Sequence, residues 1–224
     1  MLSAWAELRR TRNSLVRVRL AAGKIATYDK AVMLTLYFAP GSSSMAPHIA
    51  LHEIGVPFES RALSFSKRET RFPEYLALNP EGKVPTLLID GRPLTEVAAI
   101  LFYLAKRFPE AELLAPSDVE AQSQTISWMS FLASTIHPAR RHGIDEARAV
   151  FAVAERRLTS EWAVGSYSIA DIHLFRLFWR FRNFMKLNGA EFPNLSAHYD
   201  RMMARPAVQR TCEIEAAIGY ELPK

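Results

Sequence analysis

The chain has a single cysteine, Cys212, in 224 residues. One thiol excludes an internal disulfide, and no spaced set of cysteines and histidines marks a structural zinc site, so no metal is expected. Nothing in the cysteine usage points to an oxidising compartment, which leaves the cytoplasm as the expected location. No apolar run approaches the roughly 20 residues needed to span a bilayer, so no membrane partner is expected. Internal repeats and low-complexity tracts are missing, and strand signals disappear beyond Pro109 and Pro116.

An excess of basic charge is present, but not where a nucleic-acid groove would need it. The formal net charge is +5. Residues 1–32 hold seven basic groups (Arg9, Arg10, Arg12, Arg17, Arg19, Lys24, Lys30) and two acidic ones (Glu7, Asp29). The remainder is balanced at 21 of each sign. The main body therefore gives no expectation of a nucleic-acid partner. The basic segment has three open readings: a targeting peptide, a nucleic-acid or membrane arm, or read-through upstream of a start at Met33. The last is preferred because the first periodic pattern begins at Leu34; a poorly ordered terminus is the plainest form of any of them.

From Leu34 the pattern alternates between types. "LTLYF" reads as a strand and 44–54 as a helix closed by Gly55. "FESRAL" reads as a second strand, and "KRETRFPEYLALNP" as a short irregular helix stopped at Asn79-Pro80. "KVPTLLID" and "GRPL" read as two further strands, followed by a helix over "TEVAAILFYLAKRF" with apolar residues at Val97, Ile100, Leu101 and Leu104. Helices are expected at about 118–142, 145–162, 169–187, 194–204 and 206–218. The fold class is α/β plus all-α: a mixed-sheet domain over 33–108, a linker over 109–117 and a helical domain over 118–224.

Four segments in register resemble the glutathione transferases, in particular the bacterial beta-class branch: "LYFAPGSSSMAPHIAL", "NPEGKVPTLLIDGRPLTEVAAILFYLA", "WMSFLASTIHP" and "VGSYSIADIHLF". The resemblance covers about residues 33–220. It implies a thioredoxin-like N-terminal domain, a helical C-terminal domain, glutathione as cosubstrate, a small hydrophobic electrophile as second substrate, and a homodimer.

The site residues have a physical logic beside the resemblance. Relatives hold the bond matching Val84–Pro85 cis, leaving the Val84 backbone open to pair with an extended tripeptide. Thr95 is a natural N-cap, with Glu96 and Val97 opening the next helix as an anion site. The resemblance gives Glu96 to the γ-glutamyl amino group and the residue at Val97 to its carboxylate. Valine there keeps the N–H but has no hydroxyl. Glu96 also reads simply as a first-turn carboxylate, and Lys83 as either a glycyl-carboxylate contact or a solvated lysine.

In the triplet Ser42-Ser43-Ser44, one hydroxyl at a helix start is enough to hold a thiolate. The beta class usually has cysteine where Ser43 stands, so a mixed disulfide is not possible at that position. Related delta-like enzymes use the residue matching Ser42. Ser42 and Ser43 are therefore both candidate catalytic groups, with Ser44 as the N-cap. Tyr37 stands at a beta-class tyrosine position. His137 matches a histidine near the site entrance, followed by Pro138, and Ser130 falls near the same cleft. Trp128, Phe131, Trp179, Phe181 and Phe184 read as core or as an apolar pocket lining. The span from His137 to Gly165 is shorter than in typical relatives. "SYSIAD" reads as a capping box, Ser168 with Asp171.

Overall fold

The computed structural model describes residues 16–19, 25–28, 32–115, 118–185 and 187–222. The rest of the basic segment lies outside the described residues, as do Pro116 and Ser117 of the expected linker. Regular structure begins earlier than the expected start at Leu34. Strands β1 (Val16–Arg19) and β2 (Ile25–Tyr28) pair antiparallel, Val16 opposite Tyr28. Both are short runs rich in β-branched residues, the composition that favours strands.

A second sheet is built from β3 (Leu34–Phe38), β4 (Glu59–Ala62), β5 (Thr86–Ile89) and β6 (Arg92–Thr95) in the order β4-β3-β5-β6. The β3–β4 pair is parallel, and the other two pairs are antiparallel. Leu34, Leu36 and Phe38 are almost wholly buried, as alternation on a half-covered sheet requires. Helix α1 (Met45–Ile54) joins β3 to β4, and Gly55 closes it at φ 76°, a left-handed C-cap that suits glycine. A short helix α2 (Pro73–Leu76) precedes β5, and α3 (Val97–Arg107) follows β6. This is the thioredoxin-like arrangement of strands and helices.

The helical domain starts with α4 (Val119–Phe131), capped by Asp118, whose carboxylate accepts from the N–H groups of Glu120 and Ala121. The long helix expected over 118–142 is broken. Leu132–Ile136 is π-helical, with the His137 N–H donating to the Leu132 carbonyl five residues back. A single turn α5 (His137–Ala139) and a 3-10 turn at Arg140–His142 follow. Pro138 lacks an N–H for the α-helical ladder at this point. Helices α6 (Ile144–Arg157), α7 (Ile169–Phe184), α8 (Pro193–Met203) and α9 (Pro206–Ile218) complete the domain.

Helix α7 is the centre of the molecule. Every residue from Ile169 to Phe181 is buried, including Asp171, His173, Arg176 and Arg180. It starts in a capping box: Ser168 Oγ accepts from the Ala170 N–H at 3.2 Å, and Asp171 Oδ2 accepts from the Ser168 N–H at 2.9 Å. The other Asp171 oxygen accepts from the Ala163 N–H at 2.7 Å and lies 3.1 Å from His198 Nε2. This buried carboxylate thus ties three segments together. The two domains lock through Glu53 on α1, which accepts from Arg205 at 2.6 and 3.0 Å and from the Tyr167 hydroxyl at 2.9 Å. The Arg205 guanidinium also lies over the Tyr167 ring at 3.5 Å.

No helix among the described residues is long and apolar enough to cross a membrane, and no group of His, Cys, Asp and Glu among them could hold a metal ion.

Candidate functional site

A cavity of ≈ 540 Å³ opens between the two domains. Ser42, Ser43, Lys83, Val84, Pro85, Glu96, Val97 and His137 all line it. Tyr37 does not. Its hydroxyl accepts from Arg61 at 3.0 Å and its ring packs on Tyr75.

The three serines differ sharply. Ser44 Oγ accepts from the Ala39 N–H at 3.0 Å and donates to the Ala39 carbonyl at 3.1 Å. A hydroxyl has one proton to give. The 2.7 Å contact between Ser42 and Ser44 therefore has Ser42 as the donor. Ser42 Oγ accepts in turn from the Ser44 N–H at 3.3 Å. Ser42 and Ser44 thus close a buried network on themselves. Ser44 stands at the N-cap position of α1, but its side chain does not cap the helix, contrary to expectation. Ser43 is half-buried, and its hydroxyl has no partner among the described residues.

The loop that presents the serines is held from the helical domain. Glu215 on α9, fully buried, accepts from the Gly41 N–H at 2.6 Å with one oxygen, and its other oxygen lies 2.8 Å from His48 Nδ1. Arg176 on α7 donates to the carbonyls of Ser42 at 2.8 Å and Gly41 at 3.4 Å. The C-terminal segment closes the loop from outside. A Cβ placed on Gly41, which has φ +71°, would meet Leu222 and Tyr220 at 2.9 Å. Glu221 accepts from Ser64 Oγ, Ser66 Oγ and the Ser66 N–H at 2.8, 2.8 and 3.0 Å, and these bonds hold its carboxyl at about 2.

The opposite edge is built by the turn before β5. The Val84–Pro85 bond is cis. Tyr75 and Asn79 both donate to the Lys83 carbonyl, at 2.5 and 2.8 Å, which fixes the peptide leading into Val84. The Val84 N–H and carbonyl have no backbone partner among the described residues, so this edge can pair with an extended peptide. Lys83 Nζ is 2.5 Å from Glu81, not pointing alone into solvent.

At the start of α3 the expectation needs a correction. Thr95 is not the N-cap, because it still pairs with Thr86 in the β5–β6 ladder. Glu96 takes the cap position at φ 68°, a left-handed conformation that costs a non-glycine residue on the order of 1–3 kcal/mol. Such strain concentrates at ligand sites, and Glu96, an exposed residue, lines the cavity here. The N–H groups of Val97 and Ala98 open α3 without backbone partners among the described residues.

Several residues of the site were not legible as such. Arg140 and Arg141 follow His137, and His173, Arg176 and Arg180 occupy one face of α7; all five line the cavity. Burial, together with Arg176, Arg140, Arg141 and Lys83 nearby, brings the His137 imidazole down to about 4. Burial and Arg176 hold His173 at about 3, so both rings are neutral near pH 7. Burial and the neighbouring arginines Arg180 and Arg140 bring Arg176 down to about 9. The aromatic candidates are absent from the lining. Trp128, Trp179 and Phe181 are core, Phe131 is half-buried, and Phe184 is exposed, as is Ser130. Burial and the nearby Glu215 and Glu213 push the Cys212 thiol up to about 11, so it is a poor nucleophile.

A two-layer sheet domain with a cis-proline edge, a hydroxyl at a helix start and a helical domain closing the cleft defines a thiol-handling protein of thioredoxin-like fold. Residues 32–106 match the model of the glutathione S-transferase N-terminal domain, and residues 137–206 that of the C-terminal domain. The chain is 34% identical to glutathione S-transferase GstA of Escherichia coli O157:H7 over 200 residues, covering 81% of this chain and 98% of that protein. A glutathione transferase homologue from Sulfitobacter, solved with bound glutathione, superposes with a TM-score of 0.73 at 33% identity, over 82% of this chain and 99% of that one. A bacterial beta-class enzyme from Sphingomonas chungbukensis does so with a TM-score of 0.72 at 32% identity, over 81% and 98%. The chain belongs to the glutathione S-transferase family and is similar to its bacterial, beta-class-like members.

Proposed function

We propose that the protein binds glutathione in this cavity and transfers its thiolate to a small electrophile with a hydrophobic body. Residues 33–108 serve as the glutathione domain and 118–224 as the electrophile domain. The tripeptide lies along the Val84–Pro85 edge, its γ-glutamyl end at Glu96 and the first-turn N–H groups of α3. Lys83 and His137 border the same cavity. Detoxification in the cytoplasm by a homodimer is the setting this function suits.

The observation that carries the proposal is the proton inventory of the serine triplet. Ser43 alone has a donor left, and it stands beside the N-terminus of α1. A free thiol ionises near pH 8.5. Lowering that by about two units takes about 2.7 kcal/mol. One hydrogen bond to a charged group supplies about 1.5–3 kcal/mol. A helix N-terminus adds about 0.3–1 kcal/mol. Ser43 with α1 is therefore sufficient. Ser42 serves the loop, and this supports Ser43 rather than Ser42 as the group that holds the thiolate.

A second reading, a glutathione-binding or interaction module with little turnover, is favoured by Val97, which lacks the hydroxyl of the wider family at that position. Retention on immobilised glutathione, together with a chlorodinitrobenzene conjugation assay, separates the two. The transferase reading expects both retention and turnover. Retention alone supports the binding module, and failure of both removes glutathione as the ligand.

A further inference from the structure

The two walls of the cavity differ in charge. The sheet-domain wall carries Arg71 and Lys83 against Glu81 and Glu96. Among the described residues the helical wall carries four arginines and no carboxylate. Glutathione does not account for this surplus. As a thiolate it has two carboxylates, one thiolate and one ammonium, for a net charge of about −2. With Arg176 set against Glu215 and the sheet-domain charges balanced, the three other guanidiniums of the helical wall still exceed that.

The arginines are close enough to disturb one another. Burial and Arg141 lower the Arg140 guanidinium, while burial and Arg140 bring Arg180 down to about 10. Arg176 and Arg180 are buried, Arg140 is half-buried and Arg141 stands exposed at the rim, and like charges held together partly out of water are costly unless an opposite charge joins them. Arg176 has one in reach: Glu215 supports its charge across the Gly41 loop, and its N–H groups serve that loop's carbonyls. The guanidiniums of Arg140 and Arg141 have no ion-pair or hydrogen-bond partner among the described residues. Both His137 and His173 are neutral in this setting, so the positive field on this wall is that of the arginines alone. The same cavity of ≈ 540 Å³ is also lined by the apolar Ala133, Pro138 and Leu222, and it has room for a small ring.

We infer that the electrophile is itself an acid: an apolar body, with a carboxylate or similar oxyanion seated on Arg140 and Arg141 and its reactive carbon turned towards Ser43. This rests on the transferase reading and names the substrate class for the same site. With 4-chloro-3,5-dinitrobenzoate as the probe, the thiol proton has left to solvent. The thiolate sulfur then bonds to the ring carbon bearing chlorine, and the C–Cl bond breaks with its electron pair leaving on chloride. The product is the thioether.

The test compares that probe with 2-chloro-1,3-dinitrobenzene, which differs only in lacking the carboxylate. Each kcat/KM is divided by the uncatalysed rate with glutathione. The acid is expected to be favoured at least about tenfold, equivalent to about 1.4 kcal/mol. In the Arg140→Gln/Arg141→Gln double variant the preference should fall to within about twofold, with KM for glutathione unchanged. Binding of the two synthetic glutathione conjugates to the unaltered protein, measured by calorimetry, decides the matter without turnover: the carboxylated conjugate is expected to bind about tenfold more tightly. Equal affinities overturn the inference, whatever the kinetics. An acid preference that survives in the double variant, or a matching rise in KM for glutathione, overturns it too by giving these arginines to glutathione or to no ligand. If neither electrophile reacts while the conjugates still differ in affinity, the transferase reading fails and the anion seat stands.

Discussion

Ser43→Ala removes one hydroxyl from the cavity wall and no hydrogen bond from the interior, since Ser43 Oγ has no partner among the described residues. Ser42→Ala does the opposite. It removes the donor to Ser44 Oγ and the acceptor of the Ser44 N–H, both inside the buried loop. The two variants should therefore separate chemistry from stability. Losing a hydrogen bond to a charged group forfeits about 1.5–3 kcal/mol. At 1.36 kcal/mol per unit, the pKa of bound glutathione should rise by about one to two units in Ser43→Ala. A depressed thiol pKa gives activity above that pKa, lost as pH falls through it, so the acid limb of the kcat/KM profile should move to higher pH. The ultraviolet absorbance of the bound thiolate, titrated in the complex, reads the same shift without turnover. Melting should be nearly unchanged. Ser42→Ala should keep the limb within a few tenths of a unit and lower stability by about 1–3 kcal/mol, the cost of unsatisfied buried groups. An unmoved limb in Ser43→Ala, or an equal shift in both variants, would refute the proton inventory.

Other perturbations follow from the supports of the site. Glu215→Gln replaces the charged acceptor of the Gly41 N–H by a neutral amide, and should cost about 1–3 kcal/mol in chemical denaturation while raising KM for glutathione, because the serine loop's anchor is weakened. Ser168→Ala removes the cap of α7 and should lower stability by about 1–2 kcal/mol. For a chain of this size that is a melting shift of about 2–8 °C. No change in kcat/KM should accompany it below the melting range. Neutral burial of His52, His137 and His173, at about 4, 4 and 3, gives stability that is present above the unfolded value of 6.5 and lost as pH falls towards those lower values. Each histidine should contribute a slope of up to about 1.4 kcal/mol per pH unit, visible as falling melting temperature below about pH 6.5 and blunted in His173→Gln.

Much of this fold is legible in local pattern. The alternation in Leu34–Phe38, the stop at Gly55 and the box at Ser168–Asp171 each depend on neighbours within a few residues, and each is found where the sequence places it. What escapes depends on partners far away in the chain. Thr95 looks like an N-cap, but the ladder to Thr86 keeps it in the strand and gives the cap to Glu96. Ser42 and Ser43 look equivalent until Ser44 turns back to Ala39 and draws Ser42 inward. The basic wall joins residues 140–141 to 176–180, and no local pattern unites them. One signal was available: His173, Arg176 and Arg180 recur at helical spacing within 172–181, which is otherwise apolar. A helix buried all round has to turn such groups towards something, and here it turns them to the cavity.

The most direct test is a crystal structure with glutathione bound. The account predicts the sulfur within about 3.2 Å of Ser43 Oγ, the cysteinyl backbone paired with Val84, and Ser42 still bonded to Ser44. A sulfur held by Ser42, with the Ser42–Ser44 bond broken, or a tripeptide seated away from the Val84–Pro85 edge, would contradict it.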